Sequence, residues 1–217
     1  GLLDRRARSC QITLDGNEQY RDMDAFSMLL DYIDEDLPTL WRRILYVEQP
    51  LERSVALNSS LREGIAAAGG RKPLLVDESD GDIDTFAQAM DLGYCGVSSK
   101  ACKGFVKAIA NAALAHTRDA TRYFLTGEDL MNLPVVPLHQ DLVHVAALGI
   151  HHVERNGHHY VRGLDHLSER ERTACLSQHS DMYAYRDGLA ALVIERGQVA
   201  IDSLQRPGLG VGLDTDV

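Results

Sequence analysis

The run Ile44-Leu45-Tyr46-Val47 ends in Glu48 and Gln49, and Pro50 stops it. Four apolar β-formers closed by a carboxylate and a proline read as a buried parallel strand with a functional acid at its carboxyl end. The pattern recurs on both sides. Ile12-Thr13-Leu14 ends in Asp15, before Gly16-Asn17, and Leu74-Leu75-Val76 ends in Asp77, before Glu78-Ser79. The acids stand about thirty residues apart, room for one helix and its loops. Carboxylates at the ends of successive barrel strands converge on one face. Three oxygen ligands converging suit a hard divalent cation, most simply Mg²⁺.

Apolar spacing extends the alternation. It predicts helices over 20–33, 54–68, 82–92, 104–116 and 136–148, with Gly69-Gly70 stopping the second and Gly93 the third. It predicts further strands over 95–99, ending in Lys100, over 123–125, running into Glu128 and Asp129, and over 149–153, ending in Glu154. Six strand–helix alternations give an α/β fold with parallel strands. No Gly-rich phosphate turn follows the first strand, and acids end most of them, so a TIM-type (β/α) barrel is favoured over an open doubly wound sheet. Residues 189–201 alternate around Arg196-Gly197 and read as a C-terminal β-hairpin. The expected division is a partial barrel over 1–187 and a hairpin tail over 188–217.

A net charge of −10 and no tracking run of Lys and Arg argue against a nucleic-acid surface. No apolar run has the length of a bilayer span. Cys10, Cys95, Cys102 and Cys175 form no CxxC pair and read as reduced thiols of a cytoplasmic protein. The opening Gly1-Leu2-Leu3-Asp4-Arg5-Arg6 reads as the tail of a helix, so more chain is expected in front of it.

Taken together, Leu14-Asp15-Gly16-Asn17, Val47-Glu48-Gln49-Pro50, Val76-Asp77-Glu78-Ser79, Val97-Ser98-Ser99-Lys100 and the ending Pro207-Gly208-Leu209-Gly210-Val211 resemble the enolase superfamily. Within it they resemble the mandelate racemase/muconate lactonizing enzyme group, from about residue 10 to the end. The resemblance implies a modified (β/α)₈ barrel behind an N-terminal capping domain. It also implies Mg²⁺ held by Asp15, Glu48 and Asp77, and Lys100 as the base of the muconate lactonizing type. The tail resembles the segment that returns to the capping domain. The group's second-strand Lys-x-Lys motif and its capping domain have no counterpart here, so the chain is expected to be the C-terminal six βα units, without the first two strands. No His lies in 123–129, where a mandelate racemase-like enzyme would carry its base, and this favours lysine chemistry.

The implied reaction is Mg²⁺-dependent removal of the proton alpha to a carboxylate, with racemisation, epimerisation or cycloisomerisation as the outcome. Metal and partial burial would lower the lysine pKa towards working pH. The alternatives are a sugar-acid dehydratase of the same superfamily or an inactive fragment lacking the second lysine. Lys100 and Glu154 are assigned to catalysis, and Glu128 and Asn17 to substrate, with Gln49 orienting a ligand. The competing readings are helix caps for the three acids, a solvated surface lysine at Lys100 or Lys103 as the base in its place, an ion pair of Glu154 with Arg155 or Arg162, and a structural turn for Glu128 and Asp129. Adjacent His151 and His152 point to opposite sides of a strand, which disfavours zinc there despite nearby His158 and His159. A hydrolase on the same barrel would want a His-x-His on an early strand. The partner expected is a small-molecule carboxylate, with no nucleic acid and no membrane. The full-length form is expected to be a homo-oligomer.

Overall fold

Five of the apolar runs pair into one sheet in chain order. In the computed structural model, residues 10–128, 133–154, 161 and 163–208 are described. The strands are β1 (Ile12–Asp15), β2 (Ile44–Glu48), β3 (Leu74–Val76), β4 (Gly96–Ser99) and β5 (Phe124–Gly127), in the order β1-β2-β3-β4-β5. The first four pair parallel, with Asp15 opposite Glu48, Glu48 opposite Leu75, and Val76 opposite Val97. This register sets the carboxyl ends of consecutive strands side by side. The chain divides into two units, residues up to 98 with 109–126, and residues 99–108 with 127 onwards.

In the first unit, helix α1 (Met23–Asp36) is started by Asp22, whose side chain accepts from the Ala25 N–H. Phe26, Leu30 and Ile33 bury one face against Ile44, Val47, Leu74 and Val76. Pro38 then opens α2 (Pro38–Arg43), which leads into β2. The predicted 54–68 helix is interrupted: α3 (Arg53–Ala56) ends, Asn58 accepts from the Ser60 N–H to start a 3₁₀ turn, and α4 (Arg62–Arg71) follows. Asn competes for backbone donors in this way. Gly69-Gly70 does not stop α4, which runs on to Arg71. Helix α5 (Thr85–Leu92) closes on Gly93, whose φ of +116° favours glycine. Helix α6 (Phe105–Asp119) joins β4 to β5.

In the second unit, α7 (Val136–Ala147) and α8 (Glu169–Gln178) pack Leu138, Leu142 and Cys175 with Met182 and Tyr183. The sixth strand expected over 149–153 is a single parallel bridge, Glu128 with Glu154. Gly149 takes φ +70° as α7 ends. The hairpin lies earlier than expected. Strands β6 (Tyr183–Arg186) and β7 (Leu189–Leu192) turn at Asp187-Gly188, both at positive φ as a tight hairpin turn requires. Arg196-Gly197 also has positive φ, but it closes only the isolated bridge between Glu195 and Gln198. Asp129, Arg155, His158, His159, Arg162 and residues 209–211 lie outside the described residues. Among the described residues, no helix is long and apolar enough to cross a membrane.

Candidate active site

In the first unit, β2 and β3 end in two carboxylates set close together. Glu48 is 6 % and Asp77 4 % exposed, and an oxygen of one lies within 4.8 Å of an oxygen of the other. Gln49 fixes this arrangement. Its backbone turns to φ +29°, and its buried side chain reaches across to the next strand end. The Gln49 Oε1 accepts from the Asp77 N–H at 2.7 Å and the Ser79 N–H at 3.2 Å. Its Nε2 donates to the Leu51 carbonyl and to Ser79 Oγ, each at 2.7 Å. A side chain with one acceptor and one donor end thus joins the two loops.

Asp15 ends β1 beside Glu48 in the backbone register, but its carboxylate stays outside the close pair of Glu48 and Asp77. It is exposed and accepts from Asn17, at 2.8 Å from the backbone N–H and 3.4 Å from the side-chain amide. Asn17 is likewise exposed, turned back on Asp15 at φ +41°. Between them Gly16 donates its N–H to the Glu48 carbonyl at 2.8 Å. A Cβ at Gly16 would lie 2.6 Å from the Pro50 Cα, so only glycine lets the two strand ends approach. Glu18, next along, is held below the usual carboxylate range by its hydrogen bond to the Arg53 guanidinium.

In the second unit, Lys100 follows β4 directly and is 5 % exposed. Its Nζ lies 2.5 Å from Glu128 Oε2. The Glu154 N–H donates to the Gly127 carbonyl at 2.9 Å, which brings Glu154 alongside Glu128 in the backbone, while its side chain is exposed. Two buried α7 residues meet the chain on either side of the lysine. His144 Nε2 and Ser99 Oγ are 2.8 Å apart, and Asp141 Oδ1 accepts from the Ala101 N–H at 2.7 Å. Burial pushes the His144 imidazole below its ordinary pKa, against the pull of the Asp141 charge.

The donor set in the first unit fits a divalent cation. Glu48 and Asp77, two buried hard carboxylates close together, would hold a Mg²⁺ ion, whose charge would offset theirs. In the second unit the buried Lys100 amine is paired with the Glu128 carboxylate.

A known protein shares this architecture. The mandelate racemase/muconate lactonizing protein from Herpetosiphon aurantiacus superposes with a TM-score of 0.54 at 16 % identity, over 88 % of this chain and 48 % of that one. The chain resembles this group and has its fold. The fold is accordingly the α/β type of the group's TIM-barrel-like domain. The muconate lactonizing enzyme from Pseudomonas putida is also similar, with a TM-score of 0.49 at 19 % identity, over 70 % of this chain and 38 % of that one. The chain spans less than half the length of either. No protein-family model matches the chain, and no curated protein matches it in sequence.

Lys100 and Glu128 are each legible in the sequence, but their pairing is not. Ser99, Asp141 and His144 are not legible as site residues in the sequence. The one available signal was the three-residue interval between Asp141 and His144, which puts both on one helix face.

Proposed function

We propose that this chain is the metal- and base-bearing part of a Mg²⁺-dependent enzyme that removes the proton alpha to a carboxylate. Racemisation, epimerisation or cycloisomerisation of a small carboxylic acid is the outcome. The observation that carries the reading is the buried carboxylate pair Glu48 and Asp77 at the ends of β2 and β3, and within the second unit Lys100 is buried with its amine 2.5 Å from Glu128.

Glu48 and Asp77 hold the cation. Asp15 is assigned as the third ligand by its place at the end of β1, next to Glu48 in the register. The bound cation supplies a Lewis acid for the substrate carboxylate and for the charge that develops on it. A lysine base working beside Mg²⁺ is the general pattern of enolase-type sites, and the roles given to these residues follow that pattern. Lys100 Nζ takes the alpha proton, and Glu128 orients the amine. Glu154 is assigned to catalysis with Lys100, and Glu128 and Asn17 to substrate, from the strand ends they occupy. The segment from 188 onwards is assigned as the tail of the barrel, and the full-length form as a cytoplasmic homo-oligomer.

Proton exchange in D₂O tests this. Hydroxy acids, N-acyl amino acids, dipeptides and sugar acids are followed by NMR for loss of the alpha-proton signal, with and without Mg²⁺. Exchange that needs Mg²⁺ and disappears in Lys100→Ala supports the assignment. Exchange at the wild-type rate in that variant would sink it. Dehydration of a sugar acid, read as a keto product, would select the dehydratase outcome instead.

A further inference from the structure

We propose that His144 and Asp141 are positioning residues for Lys100, a role that rests on the reading of Lys100 as the base. The geometry is a clamp on both sides of one residue. Ser99, just before the lysine, is held at its Oγ by His144 Nε2 at 2.8 Å. Ala101, just after it, is held at its N–H by Asp141 Oδ1 at 2.7 Å. Both clamping side chains come from α7, three residues apart, so one helix face grips the two peptide neighbours of Lys100. The amine itself is then met by Glu128.

The parts are too buried to be incidental surface contacts. Ser99, Lys100, Asp141 and His144 are all buried, and His144 is only 2 % exposed. The His144 ring also packs edge-on against Phe105, with centroids 5.6 Å apart. A long lysine side chain has many rotamers, and its reach is set by where its Cα is anchored. Pinning residues 99 and 101 removes the rotation of the strand end that would swing the amine away from Glu128. Misplacement of a reacting group by about 1 Å is enough to lower a rate about a hundredfold.

The test reads the lysine directly and does not require turnover. Reductive methylation of Lys100 with formaldehyde and cyanoborohydride is followed by peptide mass spectrometry. Lys72, whose Nζ donates to the Ile44 carbonyl at 3.0 Å in the first unit, is the internal control. Ser99→Ala and His144→Phe remove one arm of the clamp, and Asp141→Leu removes the other. His144→Gln and Asp141→Asn retain a donor or acceptor for each arm. We expect Lys100 to be labelled at least threefold faster in the first three variants, with Lys72 unchanged and near-wild-type labelling in the last two. Where a substrate exchanges its alpha proton, the same three variants lower kcat with KM unchanged. An unchanged Lys100 rate in Ser99→Ala, or equal acceleration at Lys72, overturns the proposal. Failure of Lys100 as the base would appear elsewhere, as exchange surviving in Lys100→Ala with the labelling pattern intact.

Discussion

Gln49→Ala strikes the joint between the two carboxylate-bearing loops. The side chain makes four hydrogen bonds, to the Asp77 and Ser79 N–H groups, the Leu51 carbonyl and Ser79 Oγ. Ser79 is only partly buried, so its groups turn to water when the amide is removed. Asp77 and Leu51 are buried, and the N–H of the one and the carbonyl of the other are left without that partner. Each stranded group costs about 1–3 kcal/mol, so the variant should lose about 3 kcal/mol. Trp41, the single tryptophan, lies in the first unit and reports its unfolding. With a urea dependence of about 2 kcal/mol per molar, the midpoint should fall by about 1.5 M. Asp77 also loses its backbone anchor, so Mg²⁺ affinity by isothermal titration should drop about tenfold. A midpoint within about 0.3 M of wild type would refute the view that Gln49 holds the two loops together.

Glu48→Gln and Asp77→Asn each remove one of two neighbouring buried charges. Each should raise the melting temperature in EDTA and abolish the further rise on adding Mg²⁺, by thermal denaturation with and without the ion. Gly16→Ala places a methyl group against the Pro50 backbone and should cost about 1–3 kcal/mol in the same urea titration; a neutral result would mean the strand ends are free to separate. His179 is wholly buried, and burial, helped by the Arg206 charge and opposed by Asp181, lowers its pKa from the ordinary value of 6.5. Its folded pKa lies below the unfolded one, so its stabilisation is complete above about pH 6.5 and declines as pH falls towards the folded value. Denaturation at pH 7.5 and 5.5 should therefore show a smaller acid loss in His179→Gln than in wild type.

The parts of the fold legible in the sequence were those written in apolar periodicity. Three acid-ended runs marked β1, β2 and β3 to within a residue or two, because a buried parallel strand has few ways to be spelled. Asn58 reads as a helix residue because its capping bond to Ser60 appears only in three dimensions. Helix α8 escapes periodicity since Glu169-Arg170-Glu171-Arg172 shows little apolar stripe, although Ser168 and Glu171 form a reciprocal capping box at its start. The hairpin reads one turn late because Asp187-Gly188 and Arg196-Gly197 are both turn pairs, and packing of Tyr183 and Ala190 in the core decides between them. At the candidate site the strand-end residues were readable one by one. Their partners were not: the contact of Lys100 with Glu128, and of Ser99 with His144, joins residues far apart in the chain.

The two units are interleaved along the polypeptide, and this bears on synthesis. The first unit takes residues up to 98 and then 109–126, with a piece of the second unit between them. A ribosome that has just released residue 98 has delivered β1 to β3 and most of β4, but β4 then presents a bare edge. β5 closes that edge only when residues 124–126 emerge, about 1–6 s later at bacterial to eukaryotic elongation rates. In that interval the nascent sheet offers unpaired backbone to any other chain within reach, which makes this stretch of translation the window in which a chaperone would be of most use.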